Sequence, residues 1–200
     1  MKITGKRIGR GYFSAAYGLE NGKVLLKTIC PTKALISKFC ARDIPHRFIP
    51  LEYIGSADGT DHFLMERYVV PCNRKELKGM VSKEEYELYN HLQKFMNVVY
   101  RVNKSSNDID YVRYQDSFDM LLRAILPKKY HKEAKAISEV FWHIVQVEPT
   151  VVFEIKPQNV AVVKGRIKFL DCFYTKRKQN SLFYRYTVRP SYGTKVTIEI

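Results

Sequence analysis

The chain has 200 residues, of which 46% are hydrophobic and 13% aromatic, enough to fill a core and too much for a disordered chain. Its 34 Lys and Arg against 20 Asp and Glu leave a formal net charge of +14. No apolar run approaches the ~18 residues of a membrane span, and Met1 to Arg7 has no apolar signal core behind it, so neither membrane spanning nor secretion by a cleaved signal is expected.

The first 30 residues predict strand, glycine turn, strand, turn and strand. Ile3 to Ile8 leads into Gly9-Arg10-Gly11, and Tyr12 to Tyr17 follows. Asn21-Gly22, a strong hairpin signal, precedes the β-type run Val24 to Ile29. Pro31-Thr32 opens a short helix over residues 33–42. Leu51 to Ile54 and His62 to Val70 read as strands around the turn 56–59, and Pro71 ends the run.

Helices dominate the middle. Ser82 to Glu85 has the form of a capping box, and behind it Leu88, Leu92, Phe95, Met96 and Val99 recur at helical spacing. Asp116 or Ser117 caps a second helix that Pro127 stops. A third runs from about Lys129 to Val147, with Ile137, Val140, Phe141, Ile144 and Val147 inward. Short β-type runs then return: Val151 to Phe153, Val160 to Val163 and Ile167 to Leu170, the last two joined by Lys164-Gly165. The tail, residues 181–200, reads as two more strands around Pro190. The plan is α+β and two-lobed.

Charge is unevenly spread. Residues 1–50 carry net +8 and residues 151–200 net +7, while 51–100 carry −2 and 101–150 carry +1. Ends that fold side by side make one positive region, attractive to phosphate, nucleic acid or an acidic protein. Cys30, Cys40, Cys72 and Cys172 form no C-x-x-C pair and read as reduced, mostly buried thiols. Met65 reads as core. His91 and His143 read as helix residues without a metal-ligand set around them, so a metal site there is not expected. Trp142 reads as partly exposed.

Four features bear chemistry. Gly9, Gly11 and Ser14 lie between two strands, where glycines let a backbone approach a phosphate. Lys27 sits in a strand of Val and Leu, so its ammonium must snorkel out or meet an anion. Glu154-Ile155-Lys156-Pro157-Gln158-Asn159 puts a carboxylate, an ammonium and an amide in one loop. Such groups accept a hydroxyl proton, hold a transferring phosphoryl group and ligate magnesium. Asp171 ends the strand Ile167 to Leu170, a good position for a metal ligand.

In this order the four resemble the protein kinase superfamily. Gly9 to Ser14 is similar to G-x-G-x-F-[GS], Val24 to Lys27 to V-A-I-K, and Leu64 to Val69 to the hinge between lobes. Glu154 to Asn159 is similar to D-L-K-P-E-N, and Leu170 to Phe173 to the D-F-G region. Gly11 to Tyr17 further resembles the glycine loop of the small early Ser/Thr kinases of lytic podoviruses, which phosphorylate host proteins during infection.

The resemblance implies a two-lobed protein kinase-like fold. Residues 1–70 form a β-rich N-lobe, and residues 71–200 a reduced, mostly helical C-lobe with β-hairpins. It implies transfer of the ATP γ-phosphate to Ser/Thr hydroxyls of host proteins in the host cytoplasm, acidic or nucleic-acid-associated ones among them. Gly9, Gly11 and Ser14 would cover the phosphates and Lys27 grip the α- and β-phosphates. Glu66 and Tyr68 would lie along the adenine edge. Asn159 and Asp171 would hold magnesium, Lys156 stabilise the γ-phosphoryl group, and Glu154 orient or deprotonate the hydroxyl.

Three departures accompany this pattern. Glu154 stands where kinases have Asp, adding a methylene and about 1 Å of reach. No Glu lies between Thr28 and Arg42 to pair with Lys27, and Glu52 belongs to the next strand. The 29 residues after Asp171 cannot hold a usual activation segment and its helices. Two other readings therefore stand beside the kinase. One is a pseudokinase that inhibits a host factor by binding. The other is a nucleic-acid-binding domain using Lys176-Arg177-Lys178 and the aromatics from Phe183 to Tyr186 to stack single strands.

Overall fold

The computed structural model describes residues 2–10, 14–40, 47–57, 59–105, 108–175 and 195–199. The chain is α+β and divides into two compact units. One comprises the described residues within 1–44, 49–67 and 175–200; the other those within 45–48 and 68–174.

The first unit is built on a six-stranded antiparallel sheet. Its strands are β1 (Lys2–Arg10), β2 (Ser14–Leu19), β3 (Val24–Thr28), β4 (Glu52–Ala57), β5 (Thr60–Met65) and β10 (Lys195–Glu199). They lie in the order β10-β1-β2-β3-β5-β4. Gly22, at φ +80°, makes the turn between β2 and β3, and the Asn21 side chain accepts the Lys23 N–H. Alternation places Ala15, Tyr17 and Leu25 in a buried cluster with Leu19, Ile54 and Leu64 against it. A β-bulge interrupts the β1–β2 register between Arg7 and Gly9. One helix, α1 (Pro31–Cys40), completes the unit, with Ser37 Oγ donating to the Leu51 carbonyl. The helix starts at Pro31, two residues ahead of the expected boundary, because proline suits a first helical position.

The strand expected over residues 62–70 ends at Met65; from Tyr68 the chain belongs to the second unit, where Val69 bridges Val162. The tail is expected in the helical region, yet β10 lies against β1 with Lys2 opposite Glu199 and Lys6 opposite Lys195. The strand expected before Pro190 lies outside the described residues.

The second unit carries α2 (Arg74–Met80), α3 (Lys83–Ser105), α4 (Asp108–Ile125) and α5 (His131–Val145). Its short strands are β6 (Val151–Phe153), β7 (Val160–Val163), β8 (Arg166–Phe169) and β9 (Phe173–Thr175). β6 pairs with β9, and β7 with β8 in an antiparallel hairpin. Lys164 and Gly165 both take positive φ, 51° and 72°, as a two-residue hairpin turn requires.

The core is aromatic. Phe118 stacks on Phe141 at 3.7 Å between centroids, and Phe95 meets Phe118 edge-on at 5.1 Å. Phe153 and Phe173 pack at 5.6 Å beneath the loop that follows β6.

Three helix expectations need correction. Asp116 and Ser117 lie inside α4 rather than capping it, since no Gly or Pro breaks the chain between residues 80 and 126. Val147 lies beyond the end of α5 and is exposed. Ser82 Oγ does accept the Glu85 N–H at 3.2 Å, but the Glu85 carboxylate turns inward instead of closing the capping box. No helix among the described residues is long and apolar enough to cross a membrane.

Candidate active site

In the second unit the polar loop after β6 is fixed from several directions. β6 is buried along its length, and its last residue delivers Glu154. The Glu154 N–H donates to the Cys172 carbonyl at 2.9 Å, tying the loop to the residue after Asp171. Ile155 is fully buried. Its N–H reaches Met96 Sδ at 3.4 Å, and its carbonyl accepts from Gln93 Nε2, both on α3. Pro157 opens a single 3₁₀ turn through Asn159, where its missing N–H costs nothing. The Gln158 side chain donates to the Cys72 carbonyl.

Asn159 joins the two halves of the site. Its carbonyl accepts the N–H groups of both Leu170 and Asp171, each at 3.0 Å. Its side-chain amide donates to Glu154 Oε2 at 3.2 Å, while Lys156 Nζ lies 2.7 Å from Glu154 Oε1. Glu154, Lys156, Asn159 and Asp171 therefore belong to one backbone-linked cluster. Glu154, Asn159 and Asp171 are partly buried, and the Lys156 side chain is 55% exposed. Asn159 and Asp171 are hard oxygen donors on backbone-linked segments, the residue types that bind magnesium when one or two side chains are completed by phosphate oxygens. Among the described residues no group of three or more His, Cys, Asp or Glu forms an all-protein metal cage.

Beside this cluster lies a cavity of about 320 Å³, walled by α3, β6, Glu154, Lys156 and Tyr174. Burial first, then the nearby Glu154 carboxylate, push the Tyr174 hydroxyl above its usual pKa.

The other predicted residues are in the first unit or at its boundary. Gly9 pairs with Ala16 just past the bulge, and Gly11 lies outside the described residues. Ser14 is buried, its hydroxyl donating to Thr28 Oγ1 at 2.7 Å. Lys27 is paired through the backbone with Ala15 and His62, the one residue of β3 that is not fully buried. No carboxylate pairs with it among the described residues, and α1 carries lysines but no acid. Glu66 is exposed and Tyr68 half-buried, and the division between the units falls between Arg67 and Tyr68. Met65 is buried, Trp142 is 36% exposed, and Cys72 is exposed while Cys30 and Cys172 are buried. The segment 176–186 lies outside the described residues.

One charged cluster escaped sequence reading. Arg47 is buried and donates to Glu85 Oε2 at 2.6 Å, to Glu133 Oε1 at 2.9 Å and to the Ile167 carbonyl. Glu85 also accepts the Ile167 N–H at 2.9 Å. Burial works against the Arg47 charge, but the two carboxylates outweigh it and hold the guanidinium pKa above its usual value. The available signal was positional: Glu85 shares the face of Leu88 and Leu92, and Glu133 that of Ile137 and Val140, so each acid interrupts an apolar stripe. No protein-family model matches this chain, and no curated protein does either.

Proposed function

We propose that this protein is a Mg-ATP-dependent Ser/Thr protein kinase of two-lobed, phage-type plan that acts on host proteins in the host cytoplasm. The observation that carries the reading is the cluster within the second unit. The N–H groups of Leu170 and Asp171 donate to the Asn159 carbonyl and so tie the Asp171 segment to the loop in which Glu154 meets the Lys156 ammonium at 2.7 Å and the Asn159 amide at 3.2 Å.

Glu154 accepts the proton of the substrate hydroxyl. Each of its oxygens already has one donor and keeps a second lone pair for that proton. The hydroxyl oxygen bonds to the γ-phosphorus as the bond to the β–γ bridging oxygen breaks, and ADP leaves with that electron pair. Lys156 offsets charge on the transferring group. Asn159 and Asp171 would hold magnesium, which when bound neutralises charge on the phosphate oxygens. In the first unit, Lys27 is assigned to the α- and β-phosphates, and Glu66 and Tyr68 to the adenine edge. The long carboxylate at position 154 retunes the hydroxyl's position by about 1 Å.

Incubating purified protein with radiolabelled ATP, magnesium and a bacterial lysate tests the reading. Label is expected on the protein itself or on a lysate protein, and is expected to vanish in Asp171→Ala. A parent protein that transfers none overturns it. The acid-free α1 that follows β3 favours a second reading, a pseudokinase that inhibits by binding. That reading predicts a biological effect unchanged in both Lys27→Ala and Asp171→Ala.

A further inference from the structure

The cavity beside Glu154 is not used by the phosphoryl-transfer steps above. Met96 and Val99 face it from α3 and Val152 from β6, so most of its wall is hydrocarbon. Its size, about 320 Å³, falls at the lower end of ligand pockets and suits one large side chain rather than a cofactor. Tyr100 lines it and is 63% exposed, so its ring is open to solvent beside the cavity. The one carboxylate and one ammonium in the wall, Glu154 and Lys156, neutralise each other across 2.7 Å. The cavity therefore presents no net charge to an occupant, and a charged side chain entering it would lose hydration without a free counter-ion.

Its location is as informative as its lining. The same Glu154 that is assigned the acceptor proton forms part of the wall. An extended peptide advances about 3.3–3.6 Å per residue. A side chain in the cavity thus belongs to a residue within one or two positions of the hydroxyl at Glu154.

We infer that this cavity is a specificity pocket for a protein substrate, taking an uncharged aromatic or long aliphatic side chain next to the phosphorylated Ser or Thr, with Tyr100 closing over it. This inference rests on the kinase reading of the Glu154 cluster and deepens it by naming the substrate class. Burial of one such side chain typically discriminates about 10–200-fold in kcat/KM.

The test is a set of Ser-containing peptides varied one position at a time, phosphorylated by the parent, Tyr100→Ala and Asn97→Trp. Tyr100→Ala removes the cover, and Asn97→Trp fills the cavity from an exposed position on α3. The parent is expected to favour Phe, Leu or Met over Ala, Asp and Lys at least 10-fold at one position flanking the acceptor. Both variants are expected to lose most of that preference through a higher KM, while peptides with Ala at that position are phosphorylated as by the parent. Phosphorylation without an apolar preference, or a preference that survives both variants, overturns the pocket and leaves the kinase reading standing. A parent that phosphorylates neither peptides nor lysate proteins overturns both.

Discussion

Two clusters in the second unit use the same chemistry in opposite surroundings. Arg47 with Glu85 and Glu133 is buried, with side chains no more than 10% exposed. Lys156 with Glu154 sits at 55% and 28%. The first is closed off from solvent, and its charges are engaged mainly by one another, by the Ile167 backbone and by Arg166. The second is positioned by backbone bonds from outside itself, and its paired charges stay within reach of solvent. Burial therefore separates an ionic group sealed inside the fold from one that a ligand can approach, although the residue types are alike.

The largest effect is expected at the buried cluster. Arg47→Ala leaves two carboxylates buried and is expected to cost about 3–5 kcal/mol in urea unfolding. Replacing all three, Arg47→Met with Glu85→Leu and Glu133→Leu, is expected to recover most of that loss. A shortfall of about 1–3 kcal/mol should remain, because the Ile167 N–H loses its acceptor. Full loss in the triple variant would break the contrast.

Glu154→Gln is expected to behave in the opposite way. Phosphoryl transfer should fall about 10²–10⁴-fold, while unfolding shifts by less than about 0.5 kcal/mol. A Glu154→Gln protein as unstable as Arg47→Ala would make the exposed cluster structural too.

A fourth carboxylate sharpens the scale. Burial raises the pKa of Asp119, but hydrogen bonds from Arg123 and Ser138 outweigh it and hold it below its ordinary 3.8. Its contribution is therefore present above about pH 4 and is lost as pH falls through the lowered folded value. With 41% of the side chain exposed, Asp119→Asn is expected to cost only about 0.2–1 kcal/mol at pH 7, a difference that closes in acid unfolding curves. Smallest of all is Lys129→Ala. Its pair with Glu87 lies at the surface, and no measurable change in unfolding midpoint is expected at physiological salt.

The same contrast explains what could be read from the sequence. The Glu154 to Asn159 loop and Asp171 were singled out together through their resemblance to kinase motifs, and the Asn159 carbonyl joins those two segments by backbone bonds. The β2–β3 and β7–β8 hairpins were legible through Asn21-Gly22 and Lys164-Gly165. Arg47 was not, because its partners lie 38 and 86 residues away and only tertiary packing joins them. The start of α4 was hidden because Tyr111 and Tyr114 continue its stripe with polar-tipped rings, while Asp116-Ser117 offers a cap signal within the helix. β10 was misplaced because hydrophobic alternation specifies a strand but not the strand it joins.

That last pairing has a kinetic consequence. On a ribosome β1 emerges first, and its outer edge stays without its β10 neighbour until about 190 further residues have been made. At 5–20 residues per second that delay is about 10–40 s, during which a nine-residue strand shows bare N–H and C=O groups to other chains. Lys6 and Arg7 within that strand are like charges of the kind that disfavour edge-to-edge pairing.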